Sequence, residues 1–283
     1  VLAGHKPVFA DVDIRSMNVT AESIAKVITS KTSAIMVVDY AGLPVEIDSI
    51  RTFGLPIIED AAHAVFSIRK GVPCGMLGDI GVYSFDSVKN LAVGEAGAVV
   101  TSSAALADRA RKLRYSGIGK SGFESAASEV SQARWWEYDV SDIEHKMLPT
   151  DISAAIGLEQ LKRLPELQDK RKQLWDFYQD ALHDLDHVRS PINAADGDRH
   201  SYFTYSIVCA RRDELARYLL DRGIYTTVRY QPLHEYGIYG QRNADLMNTR
   251  VLGETALSLP LHPRMEITDA ARVVDEVRSF YQD

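Results

Sequence analysis

The sequence predicts a layered α/β domain built on a mainly parallel sheet and followed by a smaller α+β domain. Two observations carry that reading. Through the first part of the chain, short apolar runs alternate with segments of helical period, the pattern left by parallel strands joined through helices. From about residue 165, a long amphipathic segment leads into a second, shorter alternation of strands and helices. The division therefore falls into a large domain over 1–165 and a small C-terminal domain over 166–283, led by a bridging helix.

In the large domain, strands are expected at 8–12, 34–38, 56–59, 81–85 and 97–101, with helices at 20–28 and 47–53 between them. Thr20 with Ser23 offers an N-cap for the first helix. Residues 104–114 form a helix whose basic last turn suits its dipole, and Gly117-Ile118-Gly119 ends it. A loop-rich stretch runs to about Pro149, after which Thr150-Asp151 caps an amphipathic helix carrying Ile152, Ala155, Ile156 and Leu161. Pro165 starts a longer helix to about 185, in which Leu167, Leu174, Phe177, Tyr178, Ala181 and Leu185 make an apolar stripe opposite a charged face. Beyond a polar loop at 193–199 come strand 202–209, helix 213–222, strand 226–230, helix 244–255, strand 256–261 and helix 268–281. The chain opens at Val1 without an initiating Met, and the first four residues read as the end of an element. The expectation is a chain that begins inside its first domain, whose N-terminal part is missing.

Composition excludes several classes of function. With 283 residues, 46% of them hydrophobic and 25% charged, the chain is an ordinary globular one, neither disordered nor fibrous. A formal charge of −7 without any basic block disfavours binding to nucleic acid or to an anionic membrane. Cys74 and Cys209 form no CxxC pair and no Cys/His cluster, which argues against a disulfide framework or structural zinc and for the cytoplasm. No apolar run approaches the roughly 18 to 20 residues of a spanning helix, and the start lacks the pattern of a signal peptide. His234 and His262 have no partner at ligand spacing, so no metal is expected. Gly119-Lys120-Ser121 resembles the end of a nucleotide-binding loop, but a helix precedes it and its first glycine is missing.

Two segments place polar groups just past apolar strands, where open parallel sheets bind their ligands. They are Pro56-Ile57-Ile58-Glu59-Asp60-Ala61-Ala62-His63-Ala64 and Gly81-Val82-Tyr83-Ser84-Phe85-Asp86-Ser87-Val88-Lys89-Asn90-Leu91. Alone, Asp60 reads as the N-cap of a helix at 61–66, and Lys89 as a surface lysine. As a pair they supply what pyridoxal phosphate needs: a lysine to form the Schiff base, and a carboxylate to keep the pyridine nitrogen protonated so that the ring withdraws electrons.

These residues resemble the DegT/StrS-type sugar aminotransferases, a family of fold type I pyridoxal-phosphate enzymes, almost end to end. The family's Glu-Asp-Ala-Ala-(Gln or His) strand end implies that Asp60 meets the pyridine nitrogen and that His63 stacks on the ring. Its Ser-Phe-x-x-x-Lys-Asn-Leu stretch implies that Ser84 binds the cofactor phosphate and that Lys89 is the catalytic, cofactor-bearing lysine. Gly94-Glu95-Ala96-Gly97-Ala98-Val99-Val100-Thr101, the 151–161 helix, Gly223-Ile224, Tyr230-Gln231-Pro232-Leu233-His234 and Leu257-Ser258-Leu259-Pro260-Leu261-His262 are further landmarks. Three features depart from the family. The Gly/Ser/Thr turn that holds the phosphate precedes the point equivalent to Val1. Leu148, with Lys146 nearby, stands where many relatives carry a polar residue reaching the neighbouring subunit's phosphate. Asp39 stands where His is common.

The resemblance implies an aminotransferase that uses pyridoxal 5'-phosphate to move an amino group, with glutamate as donor, to a keto group on a nucleotide-linked deoxysugar. A cyclitol or other cyclic ketone as substrate, or a non-catalytic binding or regulatory protein on the same fold, are the alternatives. Lys89 argues against the family's dehydratases, which replace that lysine. Arg229 is a candidate for an acidic substrate group, with an ion pair in the small domain as the alternative. Trp136, beside Trp135 and Tyr138, is a candidate lid over the sugar or an interface anchor. A homodimer is expected, with the stretch 122–149 reaching the neighbouring subunit.

Overall fold

The computed structural model describes residues 1–119, 138, 140–242 and 244–282. Strands β1 (Ile35–Val38), β2 (Ile57–Asp60), β5 (Ile80–Ser84) and β6 (Gly97–Val100) form one sheet in that order. The first three are parallel, with Val38 opposite Asp60 and Asp60 opposite Val82, and β6 closes the sheet antiparallel to β5. A two-residue hairpin, β3 (Ile68–Arg69) and β4 (Val72–Pro73), lies between β2 and β5.

Side-chain alternation splits the sheet into two faces. Ile35, Val37 and Ile57 point into a core shared with Ile24 of α1 (Ala21–Ala25) and with Ile47 and Ile50 of α2 (Ile47–Arg51). Met36 and Val38 point the other way and remain 60% and 39% exposed. Glu59 belongs to the inner face and Asp60 to the outer, so adjacent acidic residues enter opposite environments. Gly81 lies within β5 because a Cβ there would sit 1.9 Å from the Gly75 carbonyl oxygen.

Local signals of the sequence survive where they involve neighbours in the chain. Thr20 and Ser23 close a reciprocal capping box on α1. Ser103 caps α3 (Ala104–Leu113), and Thr150 accepts from the Ser153 N–H to cap α4 (Asp151–Leu182). α4 does not restart at Pro165 as expected. It runs through the proline as one 32-residue helix, giving up one backbone N–H. Its second half buries Leu174, Trp175, Tyr178 and Leu182 against β8 (Tyr205–Cys209), β9 (Ala256–Leu259), α5 (Arg212–Asp221) and α7 (Ile267–Gln282). β7 (Val188–Arg189) and β9 flank β8 antiparallel, and α6 (Met247–Thr255) leads directly into β9.

Two expected strands are not formed. Residues 8–12 contribute only the bridge Val12–Val19, and Val8 is 59% exposed. Here the hydrogen bonds go elsewhere: the Phe9 N–H donates to the Gln241 side chain, and the Asp11 carboxylate accepts from the N–H groups of Asn248 and Thr249. Residues 226–230 likewise pair only at Thr227 with Ser258. Among the described residues, no helix is long and apolar enough to cross a membrane.

Candidate active site

Asp60 and Ser84 end neighbouring sides of the parallel ladder, and their side chains share the outer face. Past Asp60 the chain makes a turn, not the helix expected at 61–66: Asp60 Oδ1 accepts from the Ala62 N–H at 3.0 Å, and the Ala64 N–H bonds back to Ala61. This turn drives His63 into the interior, where it is 5% exposed. Nδ1 accepts from the Ala41 N–H at 3.3 Å, which places the ring proton on Nε2, 3.1 Å from the Tyr230 hydroxyl. Burial, with Lys89 and Arg229 beside it, pushes the imidazole down to about 3, so His63 is neutral at working pH.

Past β5, the Lys89 N–H closes a turn onto the Asp86 carbonyl, and the Asp86 carboxylate accepts from the Val88 N–H and the Ser87 hydroxyl. The Ser84 hydroxyl accepts a long bond from the Asp86 N–H. Partial burial and the Arg229 charge hold the Lys89 amine below the ordinary lysine range, opposed by Asp60 and Asp86. Lys89 makes no ion pair among the described residues, which leaves its amine free for chemistry.

Phe203, from the segment leading into β8, joins these groups. Its ring stacks on His63 at 4.1 Å and 18°, while Lys89 Nζ and Arg229 Cζ lie over it at 4.9 and 5.0 Å. Asn90 fixes the same segment by donating to the Ser201 carbonyl at 2.6 Å, and the Ser201 hydroxyl donates to the His63 carbonyl.

Lys89 and Arg229 open onto a cleft of about 900 Å³ whose lining also includes Asn90, Arg171, Phe203 and His262. Asp60, His63 and Ser84 are not part of that lining. The cleft is cationic: Arg264 and Arg272 line it too, against Asp269. Arg171 is 6% exposed and donates to the carbonyls of Tyr202, Phe203 and Leu261, a buried charge held by backbone dipoles; burial lowers it to about 10. Arg229 forms no ion pair among the described residues, against the alternative reading of it as a structural ion pair.

Trp135 and Trp136 lie outside the described residues, as do Lys120 and Ser121. Tyr138 is 61% exposed, and Lys146 lies over the Tyr115 ring. The sequence reading missed Phe203 and Arg171, which no local motif marks. It also passed over Glu59, Asn90 and Tyr230, although all three sit inside the quoted motifs.

An amine without an ion-pair partner among the described residues, a carboxylate at a neighbouring strand end, a neutral imidazole and a hydroxyl on that carboxylate's face form a donor set that fits pyridoxal phosphate. A fold type I pyridoxal-phosphate transferase is the class that this sheet and its strand-end chemistry define. The model of the DegT/DnrJ/EryC1/StrS aminotransferase family matches residues 1–278, and the chain belongs to that family as a pyridoxal-phosphate-dependent aminotransferase. It is 38% identical over 281 residues to the dTDP-4-dehydro-2,3,6-trideoxy-D-glucose 4-aminotransferase of Saccharopolyspora spinosa, a match covering 97% of this chain and 72% of that one. The crystal structure of the aminotransferase TlmJ from Streptoalloteichus hindustanus superposes with a TM-score of 0.89 at 38% identity, over 98% of this chain and 73% of that one. Helicobacter pylori PseC, an aminotransferase involved in the biosynthesis of pseudoaminic acid, gives 0.88 at 26% identity, over 99% and 75%.

Proposed function

We propose that this aminotransferase carries an amino group from glutamate to a keto carbon of a nucleotide-linked deoxysugar, with Lys89 as its catalytic amine. The observation that carries the reading is a half-buried lysine without an ion-pair partner among the described residues, opening beside Arg229 onto a large cationic cleft. A nucleotide-linked sugar and glutamate are both anionic, and an uncompensated guanidinium in such a cleft suits either. The S. spinosa relative acts on a dTDP-linked deoxysugar, in line with that class.

When bound, pyridoxal phosphate supplies a pyridinium ring that accepts the electron pair released at the substrate carbon. Asp60 would hold the proton at the pyridine nitrogen, and Ser84 would donate to a phosphate oxygen. His63, kept neutral, would cover a ring face without adding charge. Lys89 Nζ would hold the cofactor in the resting enzyme and, when released, take the proton from the substrate carbon and return it to the other side of the transfer. Its lowered proton affinity keeps a larger fraction of the amine in the free-base form that step requires. Arg229 would orient an acidic group, and Trp136 remains a proposed lid residue.

Further readings go with this one. Two separately buried clusters, one around β1 and β2 and one around the second half of α4, support a large domain over 1–165 and a small domain over 166–283. The first half of α4 exposes Ile152 at 76% and Ile156 on one side and Leu158 at 64% and Leu161 on the other, apolar surface that supports a homodimer. Two free, buried cysteines accord with the cytoplasm.

Borohydride reduction of the loaded enzyme and peptide mapping test the lysine: the pyridoxyl group is expected on Lys89, and an adduct on another lysine overturns the assignment. Glutamate is expected to shift the cofactor absorbance, and nucleotide-linked keto-sugars to restore it. Restoration by keto-cyclitols alone would move the substrate to the other class.

A further inference from the structure

Asp39 and Glu59 lie on the inner face of the sheet, at the ends of β1 and β2, and both are 0% exposed. Their carboxylate oxygens and the Cys74 sulfur lie within 4.8 Å of one another. Glu59 is held on both oxygens: Oε1 accepts from the Gly75 N–H at 2.6 Å, which leaves it a lone pair, and Oε2 from the N–H groups of Leu77 and Gly78, both at 2.8 Å. Asp39 Oδ1 accepts from the Val45 N–H at 2.9 Å, whereas Oδ2 makes no hydrogen bond among the described residues, and the weak donor beside the carboxylate is the Cys74 thiol. Two ionised carboxylates within 4.8 Å of each other, one with an oxygen that makes no hydrogen bond among the described residues, repel each other in a medium that cannot screen them.

We propose that Asp39 and Glu59 share one proton, carried by Asp39 Oδ2 and donated to Glu59, and that this bond braces the strand end presenting Asp60. A protonated acid removes the repulsion and gives Oδ2 a partner in one step.

A metal ion is the competing occupant, and the surroundings disfavour it. The three amide bonds already spend the negative charge of Glu59. Burial and the two neighbouring carboxyl groups push the Cys74 thiol up, away from the thiolate that a metal needs. The remaining groups near the pair add no cation. Tyr83 from β5 is pushed up to about 12 by burial and by Glu59, Cys74 and Asp39; Asp198 acts on Cys74 from a distance; His63, bonded to the Ala41 N–H, is neutral. Burial first and Glu59 second hold the Asp39 carboxyl well above the usual carboxylate range.

The brace acts on Asp60 through the chain. The Asp39 N–H donates to the Asp60 carbonyl at 3.1 Å, and Glu59 is the residue before it. Asp39 is a positioning residue, and this consequence rests on the role proposed for Asp60, whereas the shared proton does not.

Infrared spectroscopy of the holoenzyme at neutral pH tests the pair. A C=O stretch of a protonated, buried carboxylic acid is expected in the parent, shifting on deuteration and absent from Asp39→Asn. Because unfolded Asp39 releases a proton that the folded protein keeps, the parent loses stability as pH rises above the ordinary carboxylate range, and Asp39→Asn escapes that loss. The Tm of Asp39→Asn relative to the parent is therefore expected to be higher at pH 8 than at pH 4. Asp39→His serves the same comparison if the amide fails to fold. No protonated-acid band in the parent, a Tm difference that does not change with pH, or a stoichiometric metal found by elemental analysis overturns the proposal. Whether Asp60 has its own proposed role is read separately, from the cofactor spectrum of Asp60→Asn.

Discussion

Replacing Glu59 with glutamine changes one atom and removes an anion from a place built for one. Glu59 offers two oxygens to three backbone N–H groups, those of Gly75, Leu77 and Gly78. An amide has one oxygen. If that oxygen takes the Oε2 position, two bonds survive as neutral ones, and the Gly75 N–H faces an NH₂ group. The opposite orientation loses two bonds. Hydrogen bonds to a charged acceptor contribute about 1.5–3 kcal/mol each, roughly twice a neutral one, and a buried donor left without a partner costs about 1–3 kcal/mol. The bond between the new amide and Asp39 only replaces the shared-proton bond of the parent, so nothing is recovered there, and the loss is on the order of 3–5 kcal/mol. For a protein of this size that corresponds to a fall in Tm of roughly 5–8 °C. Gly78 blocks relaxation by a shift of the loop: a Cβ there would already sit 2.9 Å from the Ile57 carbonyl oxygen, so strand and loop are in contact. Urea unfolding of the holoenzyme gives the loss, and amide hydrogen exchange locates it, since protection at Gly75, Leu77 and Gly78 is expected to fall first. A destabilisation below about 1 kcal/mol with unchanged exchange at those three amides would refute the reasoning.

Two substitutions probe the cleft. Arg229→Met removes an unpaired cation, so the fold is expected to persist while KM for an anionic substrate rises about 10- to 100-fold, the worth of one charge-assisted contact. The same change takes a positive neighbour from Lys89, whose amine then holds its proton more tightly, and the acidic limb of the pH–rate profile is expected to move to higher pH. Unchanged KM for both substrates and an unmoved limb would remove Arg229 from the site. Phe203→Leu keeps an apolar side chain but loses the stack on His63 and the ring beneath two cations, a loss of about 1–3 kcal/mol. Thermal unfolding and cofactor titration measure it, and a variant with parental Tm and cofactor affinity would mean that the ring serves only as filler.

Sequence by itself determined the family, the α/β class and the strand-end positions of Asp60, Ser84 and Lys89, because those features are written in neighbouring residues. A short apolar run fixes a strand, its end fixes where the next polar side chain emerges, and a cap such as Thr20 or Thr150 needs only the residue three places on. What it could not determine depends on partners far away in the chain. His63 is made neutral by burial and by the charges of Lys89 and Arg229, its Nε2 meets Tyr230 from 167 residues away, and Asn90 anchors a segment 111 residues away. Residues 8–12 have the pattern of a buried strand, yet their polar groups are claimed by Gln241, Asn248 and Thr249, and no ladder forms. The helix expected to restart at Pro165 continues because packing of Leu174, Trp175, Tyr178 and Leu182 into the second core outweighs one missing hydrogen bond. Above all, only the tertiary structure separated Glu59 from Asp60. Successive residues of a strand face opposite sides, and it is the burial of one side that turns the first carboxylate into an anchor and leaves the second free for chemistry.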